Sequence, residues 1–560
     1  MAAGCSPEGA DVAAPPTAAP AAAPASYYGT LEPLASDAVY FVVTDRFVNG
    51  DISNDQRDQG GEHPTFDIPL ECAPGMEDNI GYLGGDFRGL LDHAGYIRGL
   101  GFGAVWITPI VDNPDEAFTG GDPITCTSFL TDKGKAGYHG YWATSFHTVD
   151  EHLESADLKF ADLTRELRGQ GLKTVLDIVA NHTSPGWTMP VAQPGFGQLF
   201  DAEGTLIADH GNLPPPELDP GKSPLHRFYN TKADLAQLAD LNADNPAVMD
   251  HLVDAYLQWI DQGVAAFRID TIRHQPLPFW KEFSARIRAR HPGFFMFGEA
   301  FDYEAKNIAP FTWPENGGVS VLDFPVKQAL SEAVGPKAAG FEGLADALAL
   351  ENGPYQNPYD LMTFYDNHDM ARLDASDDGF IDAHHWLFTA RGTPVIYYGS
   401  EVGFERGKVE HSGNRNYFGA ERLAAAPAHP IYLALQRIAA VRAQSPALQR
   451  GLQLNLELQG DRAAFYRVYQ HEGRAQLALV LLNKGGTPED FAITEFLQAG
   501  SWRPALGGEP QDVADGGTLT ATVPAHGAQV YLLDAPVTQP ALAARLAGLM
   551  QAKSRRTSGG

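Results

Sequence analysis

Short apolar runs rich in β-branched and aromatic residues alternate with longer amphipathic stretches from residue 38 onward. A buried parallel strand reads as a nearly continuous apolar run, and the amphipathic stretch after it is typical of a crossover helix. Amphipathic stretches such as 86–100 and 161–171 predict such helices, the second ending at Gly171. Eight strands are predicted, over residues 39–47, 104–110, 173–182, 265–270, 294–300, 319–325, 360–369 and 394–401. This pattern predicts an α/β fold, a TIM (β/α)8 barrel.

The spacing of these patterns also predicts the domain organisation. The interval between the third strand and the next helix is far longer than a usual connection, which predicts an inserted subdomain over 183–243. The barrel is then assigned to 27–182 and 244–445. Alternating apolar and polar residues predict a C-terminal antiparallel β-sandwich domain over 446–536, and 537–560 reads as a short helix with a disordered basic end. The Ala/Pro-rich stretch 1–26 predicts a flexible tether.

Charge narrows the classes of partner. Seventy acidic and forty basic residues give a formal charge of −30 among 560 residues. Such a balance repels nucleic acid and anionic membrane surfaces, so we expect neither as a partner. A neutral substrate fits this charge, although an acidic surface also serves solubility alone. The sequence contains no apolar run of the roughly 18 to 20 residues that a membrane helix needs.

The three cysteines bear on localisation. The segment "AAGC", which ends at Cys5, looks like the end of a bacterial lipoprotein signal, and Cys5 would then carry a lipid anchor. The alternative is that Cys5 is an ordinary cysteine in a linker. Cys72 and Cys126 lie in Gly/Pro-rich loops, where they would form one disulfide in an oxidising compartment or remain two free thiols. We expect an exported bacterial protein, whether periplasmic, secreted or lipid-anchored.

Charged side chains close several of the predicted strands. The carboxyl ends of barrel strands carry the active site of this fold, and four of them end in polar residues: Asp177, Asn181 and His182; Arg268 and Asp270; Glu299; His368 and Asp369. Two carboxylates roughly 5 to 5.5 Å apart suit a retaining glycosidase. Arg268 would keep Asp270 ionised as a nucleophile, and the apolar stretch before Glu299 would raise its pKa toward the acid role. Any one of these residues could be a loop anchor, but the set indicates catalysis.

The strand-end motifs "DIVANH", "LADLN", "FRIDTIRH", "FGEA", "FYDNHD" and "TPVIYYGSE" occur in an order that resembles the α-amylase family of glycoside hydrolases. The resemblance covers roughly residues 36–536. The segments "TDRF", "YLGGDFRG", "YHGYWATSF" and "YDNHDMAR" are most similar to the branch that holds cyclodextrin glucanotransferases and maltogenic amylases.

The resemblance implies roles for individual residues. Asp270 would be the nucleophile, Glu299 the general acid/base and Asp369 the stabiliser of the transition state, with Arg268 supporting Asp270. The sugar-binding residues that it implies are His139, His182 and His368 as hydrogen-bonding groups, Tyr141 as a stacking ring, Arg372 on the donor side, and Arg273, His274 and Phe301 on the acceptor side.

The resemblance also implies structural Ca²⁺, an ion that takes six to eight oxygen ligands. One site would use Asn181, Asp240 and the carbonyl of His274. The second would use Asn49, Asp51, Asn54, Asp55, the carbonyl of Gly84, and Asp86, with Asn49 where this branch usually has Asp. Solvated acidic turns are the alternative for both segments.

The function these features predict is a retaining enzyme that cleaves α-1,4-glucosidic bonds of starch or maltooligosaccharides through a covalent glycosyl-Asp intermediate. We expect a monomer with amylase-type hydrolysis and transglycosylation; the alternative is a dedicated glucanotransferase, which could be cyclising. Ala236 replaces an aromatic residue of cyclising members, and they carry further C-terminal domains, whereas Phe301 matches members that transfer to sugars. A binding protein of this fold without catalysis would lack the catalytic carboxylates.

Overall fold

The computed structural model describes residue 1 and residues 25–74, 76–128 and 130–553. Cys5, most of the expected tether and the last seven residues of the expected basic tail lie outside the described residues.

The predicted strands assemble into one parallel barrel. Its strands are β1 (Val39–Val42), β2 (Ala104–Ile107), β3 (Lys173–Ile178), β4 (Ala266–Ile269), β5 (Phe295–Gly298), β6 (Ser320–Val321), β7 (Met362–Thr363) and β8 (Thr393–Tyr397). Their hydrogen-bonded order runs from β6 down to β1 and then through β8 to β7. A parallel bridge between Leu322 and Met362 joins β6 to β7 and closes the ring. The chain therefore folds as a TIM barrel, as the sequence predicts.

All eight strands are shorter than the predicted runs, and two of the runs continue into other structure. The run 39–47 stops pairing at Val42, and Thr44–Phe47 forms a short helix. The run 173–182 leaves the barrel at Ile178, and His182–Pro185 pairs with Leu238–Asp240 in an antiparallel ladder. The apolar runs are longer than the strands because residues at the barrel mouth remain buried under the loops even where the parallel strand pairing has ended.

Helices return the chain between the strands. Their caps are visible in the sequence: Asp86 accepts the amide of Gly89, and Ser376 accepts that of Gly379. The stretch 86–100 forms two helices that meet at His93, not one. The α-helices of barrel and C-terminal segment are Phe87–Asp92, Ala94–Gly99, Phe160–Gly169, Pro246–Asp261, Leu277–Arg290, Ala305–Ile308, Phe324–Val334, Gly343–Ala347, Asp377–Thr389, Gly419–Ala425, Pro430–Ala443, Pro446–Arg450 and Pro540–Met550.

The long connections rise above the carboxyl ends of the strands. After β3, Gln198–Phe200 and Leu206–Asp209 form a hairpin. After β2, Val111–Asp112 pairs with Ser145–Val149, and after β1, Pro69–Ala73 pairs with Met76–Asn79. A small apolar cluster joins the β2 and β3 connections through Phe118, Trp142, Met189, Phe196 and Leu238. These connections wall the cleft over the barrel.

A separate antiparallel region follows the barrel. Six strands form one sheet in the order Leu452–Gln459, Arg462–His471, Arg474–Asn483, Gly527–Leu533, Gly500–Pro504 and Gln511–Val513, and Glu489–Ile493 pairs with Leu519–Val523. Its core includes Tyr466, Trp502 and Leu546, the last from the C-terminal helix. This is the C-terminal β domain that the alternating pattern predicts.

Two further observations concern the cysteines and the helices. Cys126 is disulfide-bonded; the side chain of Cys72 lies outside the described part of the chain. Within the described ranges, none of the helices combines the length and apolar character that a bilayer crossing requires.

Candidate active site

Three carboxylates meet at the mouth of the barrel. Asp270 follows β4, Glu299 follows β5, and Asp369 lies in the loop after β7. Carboxylate oxygens of the three residues lie within 4.8 Å of one another. The spacing suits a retaining glycosidase, whose two carboxyl groups stand about 5 to 5.5 Å apart, and leaves too little room for the water that inverting enzymes place between them.

One guanidinium holds this group together. Arg268 is fully buried, and its Nη1 lies 2.8 Å from Asp177 Oδ1 and 3.0 Å from Asp270 Oδ1. Its Nη2 lies 2.9 Å from Glu299 Oε2, close but not aligned as a hydrogen bond. Trp106 Nε1 and the Tyr141 hydroxyl also donate to Asp177, at 3.0 and 2.8 Å. Asp177 thus fixes Arg268, while Arg268 presents positive charge to Asp270 and Glu299.

Burial raises the pKa values of two of the carboxyl groups around Arg268. Burial raises the pKa of Glu299 well above its usual range, and the Asp369 charge adds to the effect, although Arg268 opposes it. Burial also raises the pKa of Asp177, to about 7. A pKa raised this far keeps the Glu299 carboxyl protonated at neutral pH, which is the state a general acid needs.

Three buried histidines line the same cavity: His139, His182 and His368. Burial lowers their pKa values, to about 4 for His182 and well below the usual range for the other two. They are therefore neutral and can bind hydroxyls without adding charge. His139 Nδ1 accepts the amide of Tyr141 at 3.1 Å, so its Nε2 carries the hydrogen. The ring of Tyr141 stacks over that of His368, with centroids 5.4 Å apart.

The cleft extends from the carboxylates toward the inserted segment as a cavity of about 1150 Å³. Arg273, His274 and Phe301, the residues predicted for the acceptor side, line it together. Phe301 presents 44% of its surface to solvent. Ala236 lines the same cavity in a left-handed conformation, with φ of 48°.

The prediction for Arg372 is wrong. Its side chain is buried under the cleft floor, where it donates to the carbonyls of Asn414 and Tyr398 at 2.9 and 2.8 Å. Arg415 instead reaches the cleft, with Nη2 2.8 Å from Asp369 Oδ1. Sequence reasoning missed Arg415 because it lies in the long connection after β8, in the segment "GNRNYF", far from any strand end.

The first set of predicted calcium ligands is partly assembled. Asn181 and Asp240 are buried, and Asp240 Oδ1 has no hydrogen-bond partner among the described residues. Burial, together with the nearby Asp234, raises the pKa of Asp240 to about 7. A buried carboxylate with a bare oxygen fits a cation. The ring of His274, whose carbonyl was predicted as the third ligand, contacts Asp234 at 2.7 Å.

The second set forms a compact oxygen cluster. Asn49 Oδ1 and Asn54 Oδ1 are buried and unpaired within the described chain. Gly84 packs so tightly here that a Cβ would lie 2.5 Å from Asp55 Oδ1. Asp86 instead accepts the amides of Gly50, Asp51 and Gly89. The unpaired amide oxygens fit an oxygen-preferring cation, with Asp86 serving mainly to hold the loop. The Asp55 carboxylate accepts from Asn49 Nδ2 at 2.7 Å and pairs with Arg57 at 2.8 Å, so a bound cation would replace these partners. Asp51 lies at the edge, where its Oδ1 accepts the Ser53 amide.

Comparison with known families decides the identity of the barrel. The family model described as "Alpha amylase, catalytic domain" matches residues 41–190 and 223–425. The chain belongs to the α-amylase family. The match contains all three catalytic-site carboxylates, Asp270, Glu299 and Asp369.

Two curated relatives share less than 30% sequence identity with the chain. The chain is 29% identical over 502 residues to a cyclomaltodextrin glucanotransferase of Geobacillus stearothermophilus, a match that covers 86% of this chain and 64% of that protein. It is 28% identical over 517 residues to the enzyme of the same name from Bacillus sp. strain 38-2, covering 89% of this chain and 66% of that protein. The chain therefore spans just under two thirds of these relatives.

Solved structures of the α-amylase family align over nearly their full length. A cyclomaltodextrin glucanotransferase with a three-domain ABC distribution superposes with a TM-score of 0.72 at 28% identity, covering 89% of this chain and 99% of that one. An α-amylase from Geobacillus thermoleovorans, in complex with acarbose, superposes with a TM-score of 0.66 at 26% identity, covering 89% and 98%.

Proposed function

We propose that this protein is a retaining enzyme that cleaves α-1,4-glucosidic bonds of starch or maltooligosaccharides by hydrolysis with transglycosylation. The observation that carries the proposal is the position of Arg268 between Asp270 and Glu299, with the carboxylates within 4.8 Å of each other. Membership of the α-amylase family supports the class of substrate.

The reaction follows from the roles that these positions allow. Asp270 attacks the anomeric carbon, and Glu299 gives its proton to the glycosidic oxygen, so that the leaving chain departs as an alcohol and a glycosyl-Asp ester remains. Glu299, now ionised, takes a proton from a water or sugar hydroxyl; that oxygen attacks the anomeric carbon, and the bond from this carbon to the Asp270 oxygen breaks, which releases the Asp270 carboxylate. Asp369 and the neutral histidines bind hydroxyls of the distorted sugar. Calcium at the two predicted sites would stabilise the loops that carry these residues, without entering the chemistry.

The second candidate is a dedicated glucanotransferase, including a cyclising one. The relatives named cyclomaltodextrin glucanotransferase and the exposed acceptor-side Phe301 favour it. Ala236 disfavours cyclisation, since cyclising members have an aromatic residue there. Further C-terminal domains are not required of every enzyme of this name, because a cyclomaltodextrin glucanotransferase of three domains aligns with this chain along almost its entire length.

Incubation with maltoheptaose, followed by mass spectrometry, tests the proposal. We expect shorter linear sugars together with some linear sugars longer than the substrate. Products lighter than a linear sugar by one water are cyclic and would establish the second candidate, as would longer sugars without net release of reducing ends. The absence of any product, with calcium supplied, would refute both.

A further inference from the structure

A buried ion pair joins two loops on the Asp369 side of the cleft. Lys135, in the connection after β2, places Nζ 3.0 Å from Oε1 of Glu410, in the connection after β8. Lys135 Nζ also lies 2.8 Å from Asp132. Lys135 is only 4% exposed, yet all three residues line the cleft cavity. The pair is therefore part of the cleft wall.

The network continues to the reacting groups. Glu410 Oε1 lies 3.1 Å from Arg415 Nη1, and Arg415 Nη2 lies 2.8 Å from Asp369 Oδ1. An unbroken chain of opposite charges thus runs from Asp369 to Lys135. Next to it, His411 Nδ1 lies 3.5 Å from Asp78 of the hairpin after β1, and both side chains are buried. Side chains from three connections meet at this end.

The proposed catalytic roles separate the two ends of the cleft. Phe301 follows Glu299 by two residues, and its carbonyl accepts from Arg273 Nη1 at 2.6 Å. With Glu299 as the acid that protonates the leaving oxygen, the leaving chain would extend past Phe301 and Arg273. The sugars on the other side of the cleaved bond would then extend past Asp369 and Arg415, toward Lys135 and Glu410.

The network resists opening because its charges are buried. Although burial opposes its charge, Asp132 and Glu410 raise the pKa of Lys135, which stays protonated. Burial likewise opposes the charge of Glu410, but Arg415 and Lys135 lower the pKa of this carboxyl well below its usual range. Parting two buried, paired charges leaves each without compensation. A sugar chain cannot simply displace this bridge.

We infer that the bridge between Lys135 and Glu410 closes the donor end of the cleft, so that the enzyme attacks glucan chains from their non-reducing ends and holds a short donor segment. This inference rests on the proposed function. It specifies that the enzyme acts at chain ends and not at internal bonds. A donor side that holds only a short segment also has no room for the long donor chain that a large ring requires.

The test compares maltoheptaose with maltoheptaose whose non-reducing end carries a 4,6-O-ethylidene group. We expect the wild-type enzyme to cleave the blocked sugar at least about tenfold more slowly, since a closed pocket cannot accept the added group. Lys135→Ala should narrow that difference, whereas Lys135→Arg should retain it. Lys133→Ala is the matched control, because Lys133 is exposed and is not among the residues that line the cavity, although it follows Asp132 in the sequence.

The outcomes separate the inference from the function. Equal cleavage of the two sugars by the wild type would overturn the closed donor end while leaving the proposed function intact. No cleavage of either sugar would refute the proposed function. If Lys135→Ala melts like the wild type and still discriminates, the bridge is not the closing element. If that variant fails to fold, the wild-type comparison alone decides whether the donor end is closed.

Discussion

Arg268 and Asp270 stand two residues apart in the sequence, and their Nη1 and Oδ1 atoms lie 3.0 Å apart at the mouth of the barrel. The same guanidinium contacts Asp177 and Glu299. A single positive charge thus organises three acidic groups in a site from which water is largely excluded, where such contacts are stronger than in water.

Arg268→Lys should lower kcat/KM by about 10²- to 10³-fold, the cost typical of losing one preorganised electrostatic contact. A lysine ammonium is a compact point charge and cannot span the three carboxylates as the planar guanidinium does. Steady-state kinetics on maltoheptaose checks this. Thermal melting of the same variant provides the control, and near-normal activity in a folded protein would contradict a role for the guanidinium geometry.

Asp270→Asn should reduce kcat by more than about 10³-fold while leaving the fold intact, because the amide oxygen is a poor nucleophile. Circular dichroism and melting temperature establish the fold. Asp250→Asn, in an exposed ion pair with Arg286, is the matched control and should leave activity unchanged. Retention of more than a few per cent of the rate would remove Asp270 as the nucleophile.

The raised pKa of Glu299 predicts the alkaline side of the pH profile. The protonated fraction of this acid falls as the pH rises through its raised pKa, so kcat/KM should fall there, at higher pH than for an ordinary glutamic acid. Glu299→Gln should abolish this decline when the substrate is α-maltosyl fluoride, whose leaving group needs no proton. An unchanged alkaline limb in that variant would assign the decline to another group.

Calcium should raise the melting temperature of the protein. An ion at about 100 times its Kd adds about 2.7 kcal/mol to the free energy of unfolding. Differential scanning calorimetry with calcium and with a chelator measures the shift. Asp55→Asn should reduce it, whereas Asp58→Asn, an exposed aspartate in the same loop, should not. Equal shifts in both variants would exclude the loop around Asp55 as the responsible site.

Phe301→Ala should increase the proportion of hydrolysis relative to transfer, since an acceptor sugar would lose an apolar surface on which to pack. Leu433→Ala is the control, because Leu433 is comparably exposed, at 40%, but does not line the cavity. Product analysis at high maltose concentration gives the ratio. The same shift in both variants would mean that Phe301 has no specific part in binding the acceptor.

The sequence alone determined the barrel and the catalytic constellation. Apolar runs mark the eight strands, and parallel strands necessarily bring their carboxyl ends to one edge, so Asp270 after β4 and Glu299 after β5 had to meet. The long interval after β3 also indicated the inserted segment, and the change to alternating apolar and polar residues indicated the antiparallel C-terminal domain.

Only the tertiary structure decided what the connections contribute. Arg372 follows Asp369 by three residues, but its side chain turns under the floor toward Asn414 and Tyr398. Arg415 reaches Asp369 from a loop 46 residues later in the chain, and Lys135 meets Glu410 across 275 residues. The position of a strand end follows from the regular barrel, whereas the path of a long loop depends on the packing of residues distant in sequence. The carboxylates at the strand ends were therefore visible in the sequence, and the loop residues that contact them or line the cleft beside them were not.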